Sequence, residues 1–189
     1  MIYCAWVLSA AAKTFLAFTC MLLMASFIYG QTKEDQIRQI RTLYSKINND
    51  HSLKTIVLTN DDFLQDETPD GGCSLTGYYK NDTLYKMSVW IGLSYCIRQY
   101  DYYFDKGTPF FVFETEKDFP ANTDGTLGYT KLNPGFEGRY YLNGQKVIAI
   151  KLKSKKRMDE NPTMAYVQTL VTGVTAYKKQ LYQHLKKRK

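Results

Sequence analysis

Residues 138–153 read GRYYLNGQKVIAIKLK, two aromatic and β-branched runs separated by Asn143-Gly144. Asn-Gly readily takes the positive φ angles of a type I′ turn, whose twist matches that of two paired strands. Tyr, Val and Ile suit the half-buried surface of a pleated sheet. This stretch therefore predicts a β-hairpin, and it is the strongest fold signal in the chain.

Two similar units precede this hairpin. Tyr78-Tyr79 comes before a turn at residues 81–82, and Tyr102-Tyr103 comes before a turn at residues 105–107. The intervals between the tyrosine pairs, 24 and 38 residues, are irregular. We therefore interpret the units as successive hairpins of one antiparallel sheet and not as a sequence repeat.

A three-residue turn at 105–107 also predicts a register for the second hairpin. The resulting pairs combine apolar side chains with each other and an arginine with a glutamate, which is compatible cross-strand chemistry, and a bulge would shift them by one residue. The predicted pairs are Tyr102 with Phe110, Tyr100 with Val112, and Arg98 with Glu114.

Helical patterns flank the predicted sheet. Apolar residues within 33–50 recur at spacings of three and four, which predicts an amphipathic helix that Thr32 caps. A short strand at 53–58 and an acidic loop at 59–72 follow. A second helix is predicted after Asn161-Pro162, a cap followed by proline at the first helical position. The apolar residues are Ile37, Ile40, Tyr44 and Ile47 in the first helix, and Met164, Val167, Val171, Val174, Leu181 and Leu185 in the second.

These elements predict an α+β fold: an N-terminal helix, a curved antiparallel sheet of successive hairpins, and a C-terminal helix. We expect helix and sheet within residues 31–160, and a helix with a basic tail at 161–189. The layout is similar to cystatin-like and NTF2-like folds, an analogy that implies no function. Over residues 33–150 the chain resembles uncharacterised small secreted bacterial proteins with an N-terminal helix and a tyrosine-rich sheet, and this resemblance implies no activity.

The N-terminus has the layout of an export signal. Residues 1–30 contain one charge, Lys13, followed by an apolar run from Phe15 to Tyr29. We expect cleavage after Gly30 and a periplasmic or extracellular protein. The alternative is a retained membrane anchor, because residues 2–29 contain enough apolar side chains to span a bilayer.

Composition and charge narrow the class further. The chain has 189 residues, 44% of them hydrophobic, which is enough for a packed core and excludes wholesale disorder. Residues 31–145 hold 12 basic and 16 acidic residues, whereas residues 146–189 hold 12 basic and 2 acidic ones. The basic segment favours an anionic partner, such as a lipid headgroup, a polysaccharide or an acidic protein, and nucleic acid is not expected after export. Alternatively, its alternating lysines protect an edge strand from stray pairing.

Cys73 and Cys96 remain after the expected cleavage, and two interpretations stay open. An oxidising compartment favours a disulfide between them. If residues 73–79, 84–91 and 94–104 are consecutive meander strands, however, the cysteines lie two strands or about 10 Å apart, whereas a disulfide needs Cα atoms within roughly 7 Å. The alternative is two buried free thiols.

The sequence offers little for catalysis. It contains no H-E-x-x-H, no G-x-S-x-G and no Gly-rich phosphate loop. The acidic stretch at 61–70 lacks the spacing of a calcium-binding EF-hand loop and predicts a solvated loop. We therefore assign no catalytic residue, no metal and no cofactor.

We expect a non-catalytic exported protein that acts by binding, as an inhibitor or an envelope-associated interaction module, with an unidentified ligand or protein partner. Two alternatives stay open: a peripheral membrane or polyanion binder acting through residues 146–189, and an enzyme with an acid-lined pocket. Strand aromatics are the candidates for a recognition surface, and the alternating lysines are separate candidates for contacts with an anionic partner. The candidate binding residues are Tyr78, Tyr85, Trp90, Tyr100, Tyr102, Lys151, Lys153 and Lys155.

Overall fold

The computed structural model describes residues 32–63, 68–156 and 160–187, so the expected signal at 1–30 lies outside the described residues. Gln36–Lys189 is one compact unit. No helix in the described ranges is long and apolar enough to cross a membrane. The elements are α1 (Lys33–Asn48), β1 (Lys54–Thr59), α2 (Asn60–Phe63), β2 (Cys73–Lys80), β3 (Thr83–Gly92), β4 (Cys96–Asp105), β5 (Thr108–Asp118), β6 (Asn133–Asn143), β7 (Lys146–Lys153) and α3 (Met164–Lys187).

The seven strands form one antiparallel sheet in which every strand pairs with its neighbour in the chain, in the order β1 to β7. Antiparallel neighbours need only short connections, which is why hairpin signals in the sequence are informative here. Strands β1 and β7 form the two edges. The predicted α+β layout of helix, antiparallel sheet and C-terminal helix is confirmed.

The two longer helices pack on opposite faces of the sheet. Successive strand residues point to opposite faces, so neighbouring tyrosines of β4 serve different cores. Tyr102 belongs to the core beneath α3, together with Leu75 and Met87. Tyr103 belongs to the core beneath α1, together with Phe111 and Tyr141. Helix α3 contributes Val167, Val171, Val174 and Leu181, and α1 contributes Ile37, Ile40 and Ile47.

Two of the three predicted hairpin turns differ in detail from expectation. Asn81-Asp82 takes positive φ angles of 49° and 61°, as a two-residue turn requires. The turn between β4 and β5 is Lys106-Gly107, with φ of 47° and 81°, so the predicted three-residue turn is wrong. In the last hairpin Asn143 pairs with Lys146, so the turn is Gly144-Gln145 and not Asn143-Gly144.

The shorter turn and a bulge between Tyr103 and Phe104 change the register of β4 and β5. Every predicted partner moves by two residues, which preserves the face that each side chain occupies but changes what it meets. The predicted pairs are therefore wrong, and two acids face this part of β4. The observed pairs are Tyr102 with Val112, Tyr100 with Glu114, and Arg98 with Glu116.

The helix ends are set by side-chain caps. The Asp35 amide donates to the Thr32 hydroxyl at 3.2 Å, as predicted for α1. In α3 the Tyr166 amide donates to the Thr163 hydroxyl at 3.2 Å, so Thr163 caps this helix and the prediction of Asn161 is wrong. The tight packing of α3 extends to Leu181, which is fully buried.

Candidate functional site

The predicted recognition aromatics do not form one surface. Tyr100 and Tyr102 are 8% and 2% exposed and pack in the core beneath α3, so they contribute to packing and not to an exposed patch. Tyr85 packs against the α1 core. The Tyr78 ring lies 5.3 Å from the Lys86 ammonium, and Trp90 lines a separate cavity.

Cys73 and Cys96 are buried free thiols, and no disulfide joins them. They lie on β2 and β4, with β3 between them, so the meander order separates them as the geometric argument expected. The Cys73 thiol lies 3.1 Å from the Asn60 side-chain oxygen, to which it donates. Burial, followed by the nearby Glu116 carboxylate, raises the pKa of the Cys96 thiol to about 11.

A buried polar cluster lies beneath α3. Glu114 on β5 is fully buried, and its carboxylate is 2.5 Å from the ammonium of Lys156, which follows β7. The hydroxyls of Tyr140 and Tyr166 both donate to this carboxylate, that of Tyr166 at 3.0 Å. Lys156 also donates to the Tyr166 hydroxyl at 3.1 Å. The cluster joins β5, β6, α3 and the β7–α3 connection.

Burial of this cluster raises the pKa of the tyrosine hydroxyls of Tyr140 and Tyr166 far above the ordinary value, and the Glu114 charge adds to the effect. Gly138 leaves the space for this arrangement, because a Cβ at that position would collide with the Tyr140 hydroxyl. Glu114 and Lys156 are 0% and 7% exposed, so they neutralise each other out of reach of a substrate. We interpret the cluster as structural.

A second group of ionisable side chains combines Cys96 with Glu116 and Asp118, whose ligand atoms lie within 4.8 Å of one another. A thiolate and two carboxylates can hold a transition metal. Here, however, the Arg98 guanidinium is 2.7 Å from Glu116 and supplies the positive charge. The Glu116 carboxylate is therefore already neutralised by Arg98, which disfavours a bound cation at this group.

The α1 face contains a different kind of site, a cavity of about 300 Å³ between α1 and strands β5 to β7. Its floor is apolar and aromatic, because Phe111 and Tyr141 are 4% and 1% exposed and their rings lie 5.2 Å apart. Tyr44 from α1 packs edge-on against Phe111 at 5.1 Å. The lining residues are Ile40, Arg41, Tyr44, Phe111, Arg139, Tyr141 and Lys151.

Three cations surround this aromatic floor. Arg139 on β6 and Lys151 on β7 are directly opposite each other in the sheet, and Arg41 approaches from α1, its Nε donating to the Tyr141 hydroxyl at 3.3 Å. Like charges directly opposite on paired strands are destabilising. Glu137 accepts from Arg139 at 3.0 Å and from Lys153 at 3.3 Å, so one acid faces four bases and the region stays cationic. We call the cavity with these residues the cationic cavity.

The sequence predicted only part of this site. Lys151 was a candidate, and the expectation of lysines on an edge strand is confirmed for Lys151 and Lys153, because β7 is an edge. Lys155 follows the strand and is exposed. Arg41 and Arg139 were missed, since nothing local marks them. Their role follows only from the register of β6 with β7 and from the packing of α1 on this face.

Comparisons with family models, with curated proteins and with solved structures find no significant match for this chain.

Proposed function

We propose that this protein acts by binding, and that the cationic cavity recognises a small ligand that carries an anionic group next to an aromatic or apolar part. The observation that carries the proposal is the direct opposition of Arg139 and Lys151, with Arg41 facing them, over a floor of buried aromatic rings. An anion would relieve the repulsion between these cations.

The two parts of the cavity supply different contributions. Guanidinium groups form charge-assisted hydrogen bonds to carboxylates and phosphates, so Arg41 and Arg139 give orientation as well as attraction. The half-buried Tyr44 is the ring that a ligand can reach, with the nearly buried Phe111 and Tyr141 beneath it, and aromatic rings prefer an edge-to-face partner. Small-molecule sites commonly have this composition, and about 300 Å³ is the lower end of their usual volume. A single ring with one acidic group is the ligand class that fits.

Isothermal titration calorimetry of the full chain tests this proposal with three probes: phenyl phosphate, inorganic phosphate and phenol. We expect phenyl phosphate to bind more tightly than either fragment, because only it satisfies both the cations and the rings. Arg139→Ala should weaken it by about 10–100-fold, since a hydrogen bond to a charged group contributes about 1.5–3 kcal/mol. Lys146→Ala is the matched control, because Lys146 is an exposed cation on the neighbouring strand β7 and does not line the cavity. Equal affinities of wild type and Arg139→Ala would contradict the proposal.

We also propose that the protein is exported, with cleavage after Gly30. The supporting feature is the sequence of residues 1–30, one lysine followed by an apolar run. The intact mass of the protein recovered from its host tests this directly. A species that begins at Gln31 is the expected result, and a chain that begins at Met1 in the membrane fraction would contradict it.

A second candidate function is binding to an anionic surface through residues 146–189. The observation in its favour is that Lys151, Lys153 and Lys155 are all exposed near one edge of the sheet. Co-sedimentation with phosphatidylglycerol vesicles, at low and high salt, tests it. A deletion of residues 178–189 would not be a suitable test of this second function, because it would also remove structural contacts. Leu181 is fully buried, and Lys178 donates to the Gly107 carbonyl at 2.7 Å. Lys153→Gln/Lys155→Gln removes charge without removing core, and unchanged, salt-independent sedimentation would reject this function.

A further inference from the structure

A second cavity, of about 380 Å³, lies away from the cationic cavity and shares no lining residue with it. Three aromatic side chains line it, Trp90 from β3 and Phe119 and Tyr129 from the β5–β6 connection. Asp70 is the one charged side chain among its lining residues. The two cavities therefore have opposite charge preferences.

Asp70, on the acidic side of this cavity, is held in place by a close approach between the backbones of Gly71 and Gly92. The Gly71 amide donates to the Gly92 carbonyl at 3.0 Å, and the Gly92 amide donates to the Gly72 carbonyl at 2.8 Å. A Cβ at Gly92 would lie 2.6 Å from the Gly71 carbonyl oxygen, so no larger residue fits at this distance. The contact holds Asp70 beside the end of β3, the strand that carries Trp90.

The aromatic side is also held in place. The Phe119 amide donates to the Tyr95 carbonyl at 3.1 Å, and the Gly128 amide donates to the Pro120 carbonyl at 2.7 Å, which closes the loop between the two rings. The rings of Phe119 and Tyr129 lie 4.9 Å apart in an edge-to-face arrangement. Tyr129 remains 64% exposed, so a large aromatic surface is retained at the mouth of the cavity.

We propose that this cavity binds a small organic cation that carries an alkylated ammonium group. The faces of Trp, Tyr and Phe rings attract cations, and Trp does so most strongly. Asp70 supplies the matching negative charge at the rim. Ile97 and Leu93 complete an apolar wall, which favours a weakly hydrated alkylated ammonium over a small hydrated metal ion. This site is independent of the anion site proposed above.

Choline and its uncharged isostere 3,3-dimethylbutan-1-ol test the proposal in the full chain. The chain contains two tryptophans, so Trp6→Phe leaves Trp90 as its only indole, and the Trp90 indole N–H resonance reports on the cavity. We expect saturable shifts with choline and an affinity for the isostere that is at least about fivefold weaker. Asp70→Asn and Tyr129→Ala should each weaken choline by at least about threefold.

Asp105→Asn is the control for charge, because Asp105 is exposed at the opposite end of β4 from Ile97 and does not line this cavity. Its affinity for choline should equal that of the parent chain. Two variants are used so that misfolding of one does not decide the result, since Asp70 and Tyr129 are both exposed and lie in different loops. Equal binding of choline and its isostere, or choline binding that neither variant weakens, would overturn the proposal.

Discussion

Lys156 and Glu114 form an ion pair that is almost completely removed from solvent, 7% and 0% exposed. Removing one member of a buried pair leaves an uncompensated charge, which typically destabilises a protein by about 3–5 kcal/mol. We expect Lys156→Met to lower the free energy of unfolding by an amount in this range, as measured by urea denaturation. Tyr140 and Tyr166 would still donate to Glu114, so we expect a loss of unfolding free energy near the lower end of this range, about 3 kcal/mol.

Lys155→Met is the matched control, because Lys155 is the exposed neighbour in sequence. Its effect should stay within about 0.5 kcal/mol, as for most surface substitutions. The double variant Glu114→Gln/Lys156→Met should recover part of the loss, since no charge then remains buried. A single Lys156→Met variant as stable as the control would show that the ion pair does not form.

Asp50 gives a pH-dependent prediction at the same scale. The Ser52 hydroxyl, followed by Lys80, lowers the pKa of the Asp50 carboxyl from 3.8 to about 2. Since the pKa is lower in the folded state, the stabilisation is present above about pH 3.8 and is lost as the pH falls towards 2. A carboxyl carbon NMR titration should give a midpoint near 2. Ser52→Ala and Lys80→Ala should each raise this midpoint, and a wild-type midpoint near 3.8 would contradict the assigned contacts.

The contacts of Glu114 show which features of the structure the sequence alone does not predict. Glu114 was predicted to face Arg98, but the observed register places it opposite Tyr100. The turn residue Lys106 decides this, because it adopts a positive φ of 47° that is uncommon outside glycine, asparagine and aspartate. Tyr100 and Glu114 were both predicted to lie on strands. Their contact depends on one turn residue and one bulge that local propensity does not determine.

At the scale of elements, helix α3 packs on the sheet along most of the length of the helix. Leu181 is fully buried and lies beside Gly77 and the Tyr79 ring on β2. Leu181→Ala should therefore lower the free energy of unfolding by about 2–5 kcal/mol, the usual range for a buried leucine. Met164→Ala is the control at the start of the helix, because Met164 is 54% exposed. Equal unfolding midpoints for the two variants would contradict the packing of the helix end.

The elements themselves were largely predictable. Hydrophobic periodicity identified α1, and aromatic runs separated by turn residues identified the hairpins, because both are local signals. The cap of α3 was misplaced, since Asn161-Pro162 is a strong local pattern but the Thr163 hydroxyl makes the capping bond. The faces on which the helices lie could not be predicted, because amphipathic stripes do not specify which side of a sheet they cover.

At the scale of the whole molecule, buried hydroxyls and thiols should make the protein sensitive to base. Burial raises the pKa of Cys96 from 9.0 to about 11 and raises that of Tyr100, Tyr103 and Tyr140 above their ordinary value of 10.0. Because these pKa values are raised in the folded state, the contribution of Cys96 is present below about pH 9 and is lost as the pH rises through about 11, and that of the tyrosines is present below about pH 10 and is lost at higher pH. The alkaline transition should therefore be cooperative.

Circular dichroism and tyrosinate absorbance at about 295 nm, recorded in one base titration, measure this transition. A large fraction of the tyrosinate signal should develop together with the loss of structure. In urea the same signal should develop near the ordinary pKa of tyrosine, about 10. Complete tyrosine ionisation with unchanged circular dichroism would contradict the burial of these hydroxyls.

Ligand binding at the cationic cavity is the central functional proposal for this protein. The most direct test is an NMR titration of the isotope-labelled full chain with phenyl phosphate, which locates the ligand as well as detecting it. We expect saturable shifts that centre on the Arg139 and Arg41 guanidinium groups and on the rings of Tyr44, Phe111 and Tyr141. Shifts that centre elsewhere in the chain, or no saturable shifts at all, would contradict the proposal.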